Sequence, residues 1–196
     1  MSDDRKTEIL QAFMKLVSRF GLDKTTMQDI AKEAGVSVGV IYKDYANKED
    51  LIDAYADWVV KKIINDYQTL IDKTLSPEEQ LHDLMVGSIK LICDSTGSSL
   101  GIHQILADEN SLKYIRKNFS RKDEINKCFK GLISDVMRDG VEQGAFRIED
   151  VPQTAMLFAD AFRGYYADIV FEGIDRDSLL SKLEVMFKFL IRIIKE

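Results

Sequence analysis

The chain has 196 residues, with 27 basic against 33 acidic side chains and a net charge of −6, which excludes a protein that coats nucleic acid through a broad basic surface. Apolar residues make up 45 % of it, an ordinary share for a globular chain with a real core. Two prolines and 11 glycines are few enough to favour long helices.

The opening MSDDRKTEIL carries no secretory signal, and no apolar run approaches the ~18 residues of a membrane span. Cys93 and Cys128 lie far apart in apolar patterns without a CxxC. They read as reduced thiols of a cytoplasmic protein with no membrane partner.

No alternating strand pattern and no internal repeat occurs, so the fold class is all-α, about nine to ten helices joined by short turns. The first helix should run from about Asp4 to Phe20, with Ile9, Phe13, Leu16, Val17 and Phe20 on one face and Gly21 as its stop. The second begins at Thr25 or Thr26 and ends at Ala34. Thr25 with Gln28, or Thr26 with Asp29, would make a capping-box start, and the spacing leaves both open. Gly35-Val36-Ser37 breaks that helix, and Ser37 is a natural N-cap for a third, Val38 to about Tyr45.

Asn47 caps a long fourth helix, Lys48 to roughly Thr74. Ser76-Pro77-Glu78-Glu79 combines a cap residue, a first-turn proline and acids at the positive dipole end, opening a helix that should reach about Asp94. Further helices are expected at about Leu100–Asp108, Leu112–Asn118, Asp123–Gln143 and Pro152–Phe171. Asp175 or Asp177 opens the last.

Two short helices joined by a three-residue turn with glycine follow the helix-turn-helix plan. Ala31 and Ala34 are small enough for close helix approach, and Gly35 can take the left-handed conformation of a sharp turn. Ile30, Val36 and Ile41 are placed to fill the small core. That leaves Ser37, Val38, Gly39, Tyr42 and Lys43 on the outer surface of the third helix, flanked by Thr25, Thr26 and Lys48, a surface suited to DNA.

The run TTMQDIAKEAGVSVGVIYKDYANKEDL resembles the N-terminal signature of the tetracycline-repressor (TetR) family of transcriptional regulators. The family pattern I-A-x-x-A-G-V-S-x-G-x-[LI]-Y-x-[HY]-[FY]-x-x-K-x-x-L is met by Ile30, Ala31, Ala34, Gly35, Val36, Ser37, Gly39, Ile41, Tyr42, Tyr45, Lys48 and Leu51. The resemblance covers about residues 5–55. It implies a helix-turn-helix DNA-binding domain, residues 1–47, on a helical effector-binding and dimerisation domain, residues 48–196. It also implies that Tyr42 and Lys48 contact phosphates and that Thr25 or Thr26 touches the backbone. Val38, Gly39 and Lys43 would then face base edges. Asp44 departs from the pattern, standing where the family commonly carries His or Tyr near the DNA. It either pairs with a neighbouring lysine or takes part in base selection.

The last helix is apolar at 11 of the 16 positions from Leu179 to Ile194, and Glu184, Lys188 and Arg192 form one narrow wet stripe. Met156, Leu157, Phe158, Tyr165 and Ile169 make the preceding helix apolar in excess as well. A homodimer through both helices is expected, with Phe158, Tyr165, Ile169, Leu183, Phe187, Leu190 and Ile194 at its interface, as the resemblance also implies. A small-molecule effector would sit among Met85, Ile89, Cys93, His103, Leu106, Phe129, Phe162 and Tyr166, apolar or aromatic residues with a few polar ones between.

No metal or cofactor is expected, because two isolated histidines and two distant cysteines have no ligand spacing. GxSxG, P-loop and GxGxxG elements are all missing, so the chain is expected not to be an enzyme. The resulting expectation is a repressor released from a palindromic double-stranded operator by its effector. The alternative is an all-α small-molecule-binding protein without operator binding.

Overall fold

The computed structural model describes residues 3–94, 119–167 and 175–195. These residues form eight continuous helical runs and no strand. The helices expected near Leu100 and Leu112, together with residues 168–174, lie outside them. The described chain divides into two compact units, one reaching to Lys61 and the other made of Lys62–Asp94 with the described residues from Asp123 onward.

The first unit packs α1 (Asp3–Phe20), α2 (Met27–Glu33), α3 (Val38–Asp44) and the beginning of α4 (Lys48–Thr69). Ile9, Phe13, Ile30, Ile41 and Leu51 are all fully buried, so each of the four helices gives its apolar stripe to one core. Tyr55 and Trp58 of α4 extend this core by stacking, while Phe13 meets Tyr55 edge-on. The packed head therefore runs past residue 47, the expected domain boundary, into α4. Phe20 does not join the core. It is 48 % exposed, with the Arg19 guanidinium over its ring.

The second unit is built from the end of α4, then α5 (Pro77–His82), α6 (Ser88–Asp94), α7 (Phe119–Glu142), α8 (Val151–Ala167) and α9 (Arg176–Lys195). α4 ends at Thr69, short of Thr74, because the chain turns there and Asp72 accepts from the backbone N–H and hydroxyl of Thr74. Ser76 caps α5 in a capping box with Glu79. Between α5 and α6 the helix widens to a π-turn, Asp83–Gly87, which turns Leu84, Met85 and Val86 all inward. Asp175 caps α9, accepting from the N–H of Ser178.

Candidate nucleic-acid interface

The α2–α3 connection shows why Gly35 stands where it does. Its φ is +66°, and the N–H groups of Gly35 and Val36 bond back to the carbonyls of Lys32 and Ala31 at 3.3 and 2.9 Å. That is the Schellman closure of a helix, in which the left-handed residue is relaxed only as glycine. Thr26 is the N-cap of α2, its hydroxyl and N–H sharing a capping box with Asp29. Hydrogen bonds from Thr26 hold the Asp29 carboxyl below its ordinary range. Thr25 lies inside the head instead, its hydroxyl donating to the Gly21 carbonyl at 2.8 Å. Of the two threonines, only Thr26 is on the surface.

α3 divides cleanly by face. Ile41 has no exposed surface, and Val38 is only partly buried against the same core. Ser37, Gly39, Tyr42 and Lys43 are exposed, Tyr42 by 51 %. An isolated aromatic held this far out on a seven-residue helix adds little to the fold. Ser37 occupies the N-cap position with extended backbone, but its hydroxyl makes no capping bond. It therefore remains available to a phosphate oxygen.

Lys48, expected to face a phosphate, is only half-exposed, and its ammonium donates to the main-chain carbonyl of Leu22. Burial pushes this ammonium's pKa down, against the opposing charges of Asp23 and Glu49. Asp50 accepts from the N–H of Ala46 at 3.1 Å while Asn47 accepts from that of Asp50 at 2.9 Å, so this acid serves the start of α4. Asp44 is half-buried, and its Oδ2 is occluded without a hydrogen-bond partner.

In the second unit Met85, Ile89, Phe129 and Phe162 are packed into one apolar core. The side chains of Cys93 and Tyr166, and residues His103, Leu106 and Ile169, lie outside the described set. Cys128 is a free, half-buried thiol whose pKa burial pushes up. Of the residues expected at the dimer interface, the described ones lie in or against the core of this unit. Phe158, Leu183, Phe187 and Ile194 are buried in this protomer's own core, and Tyr165 and Leu190 are partly buried against it. The large apolar residues that α8 and α9 leave outside are Val185, Phe189 and Ile193 of α9, 68, 61 and 57 % exposed, with Met156 and Leu157 of α8. Val185, Phe189 and Ile193 step by four residues, and that row was readable in the sequence; the almost continuous apolar run hid which face turns inward.

A three-helix head that presents the outer face of its third helix beside an N-cap serine is a helix-turn-helix DNA-binding domain, here carried on an all-helical body. Residues 9–55 match the family described as bacterial regulatory proteins, tetR family. Over 149 residues the chain is 30 % identical to the HTH-type transcriptional repressor KstR2 of Mycobacterium tuberculosis, covering 74 % of this chain and 70 % of that one. Among solved structures, a TetR transcription regulator from Haloarcula marismortui aligns over 100 % of both chains with a TM-score of 0.71 at 18 % identity. FadR of Bacillus subtilis, solved with stearoyl-CoA, aligns over 94 % of this chain and 97 % of its own with a TM-score of 0.68 at 17 % identity. The chain belongs to the TetR family, and it is a DNA-binding transcriptional regulator.

Proposed function

We propose that the chain is a cytoplasmic, homodimeric repressor that places two α3 helices in successive major grooves of a palindromic operator, about 34–36 Å apart. The observation that carries this reading is the outer face of α3, where Tyr42 is 51 % exposed while Ile41, the next residue back, has no exposed surface. Tyr42, Ser37 and Lys48 serve phosphates, Thr26 the adjoining backbone, and Val38, Gly39 and Lys43 the base edges. Val38 suits a thymine methyl group. Residues 1–50 carry eight basic and nine acidic side chains, so placement of these few groups must do what bulk charge does elsewhere.

Dimerisation is assigned to the exposed row Val185, Phe189 and Ile193 with Met156 and Leu157, an apolar surface too contiguous for water on a lone subunit. The effector is a small apolar molecule held in the body near Met85, Ile89, Phe129 and Phe162, and α4 is the lever between body and head. A solved structure of the KstR2 relative is described as a ketosteroid regulator, which accords with an apolar ligand. Effector binding releases the operator only to the extent that the effector prefers the unbound arrangement.

A mobility-shift assay with the duplex upstream of the chain's own coding sequence tests the reading. The full chain should retard that duplex, and Tyr42→Ala with Lys43→Ala should abolish the shift without lowering the melting temperature. Equal retardation of an unrelated duplex would contradict operator recognition.

A further inference from the structure

Asp44 closes α3 with a carboxylate that nothing in the head answers. Its Oδ2 is occluded from solvent and has no hydrogen-bond partner. Among the described lysines of the head, Lys15 pairs with Glu33, and the Lys48 ammonium gives one of its three donors to the Leu22 carbonyl. The lysine pairing that the sequence allowed for Asp44 is not made among the described residues. Its position adds a second cost, because the last turn of a helix is the negative end of the dipole and a carboxylate there is unfavourable.

The charge is also poorly screened. A surface aspartate is damped by water and salt, and a paired one is cancelled by its partner; a half-buried, unpaired one is neither. Its field already reaches a neighbour: the Tyr45 hydroxyl is pushed up first by burial and then by the charge of Asp44. Direct base reading does not fit the placement. Asp44 follows the fully buried Ile41 by three positions, which sets it on the inward flank of α3, away from the Gly39 and Lys43 face.

Resting on the assignment of α3 to the DNA, we propose that Asp44 is an affinity-limiting residue, an uncompensated negative charge at the end of α3, off the face that meets the bases, that weakens the head's grip on DNA of every sequence. In a head with nearly balanced charge, one such group weighs heavily. It leaves discrimination to Val38, Gly39 and Lys43 and keeps a single head a weak binder.

The test compares full-length Asp44→Asn and Asp44→Ala with the unmodified chain. Each is titrated against a duplex selected by the unmodified chain and against a scrambled duplex of equal length, over a range of salt. Both variants should bind both duplexes more tightly by the same factor, roughly 3- to 10-fold at about 0.1 M salt. The gain should shrink as salt rises, and the preferred base at each operator position should stay the same. A changed preference at one base pair would make Asp44 a base reader and overturn the proposal. Unchanged or weaker binding by both variants would overturn it too. If the unmodified chain selects no duplex, the DNA-interface assignment itself falls, a result distinct from any difference among the three proteins.

Discussion

The Lys48 ammonium at the start of α4 donates to the main-chain carbonyl of Leu22, joining positions 26 residues apart and closing the head around its core. An ammonium has three donors, so one bond inward leaves capacity for a phosphate outward. Lys48→Met should cost the head about 1–2 kcal/mol in chemical denaturation. It should also weaken binding to all duplexes alike and lower the salt slope by about one per head. A loss confined to one operator sequence would show that Lys48 reads a base.

Gly140 of α7 faces the ring of Phe146, and a Cβ built there would lie 2.1 Å from Cδ2 and 2.4 Å from Cε2. In an open helix Gly→Ala is stabilising by about 1 kcal/mol. Here the aromatic ring reverses the sign, and Gly140→Ala should destabilise the body by about 1–3 kcal/mol. Phe146→Leu in the same chain should recover part of that loss. Thermal unfolding of the two variants decides the matter, and a stabilised Gly140→Ala would mean that Phe146 moves aside without cost.

His82 lies between two carboxylates, 3.1 Å from Asp83 and 2.9 Å from Glu184, with its ring edge-on to Phe187. Burial works to lower its pKa, but the hydrogen bonds and charges of Glu184 and Asp83 outweigh it and raise the pKa above the ordinary 6.5. The folded chain thus binds this proton more tightly than the unfolded one. The added stability is complete below pH 6.5, the unfolded value, and is lost as pH rises through the higher folded value. The melting-temperature difference between the wild type and His82→Gln should therefore be largest in mild acid and shrink with rising pH. A difference that grows with pH would contradict the assignment.

The head was largely legible from sequence because its constraints are local. Gly35 announces the turn, the threonine pair a cap that the structure settles as Thr26 with Asp29, and Ile30 with Ile41 the core spacing. The sequence places Lys48 beside the helix-turn-helix, but its bond to Leu22 depends on a fold-back that no short pattern records. The faces of α8 and α9 were not legible. When apolar residues surround most of a helix, periodicity cannot say which stripe the protomer keeps; Leu183 and Phe187 turned inward, and Val185 and Phe189 outward. The π-turn at Asp83–Gly87 likewise has no sequence signature beyond a run of apolar residues.

Phe189, 61 % exposed at the centre of the apolar row on α9, is the most informative probe of the dimer. Phe189→Glu should convert the chain to a monomer in sedimentation while leaving its helical content intact, since the side chain is not part of the protomer's core. A variant that stays dimeric at micromolar concentration would place the interface elsewhere.

Selection of bound duplexes from a random pool by the purified full-length chain tests the central claim most directly. A regulator that sets two α3 helices in successive grooves will enrich an inverted repeat with half-sites about one helical turn apart, and Tyr42→Ala will enrich nothing. Recovery of an unbiased pool, or of a site without two-fold symmetry, would contradict the account.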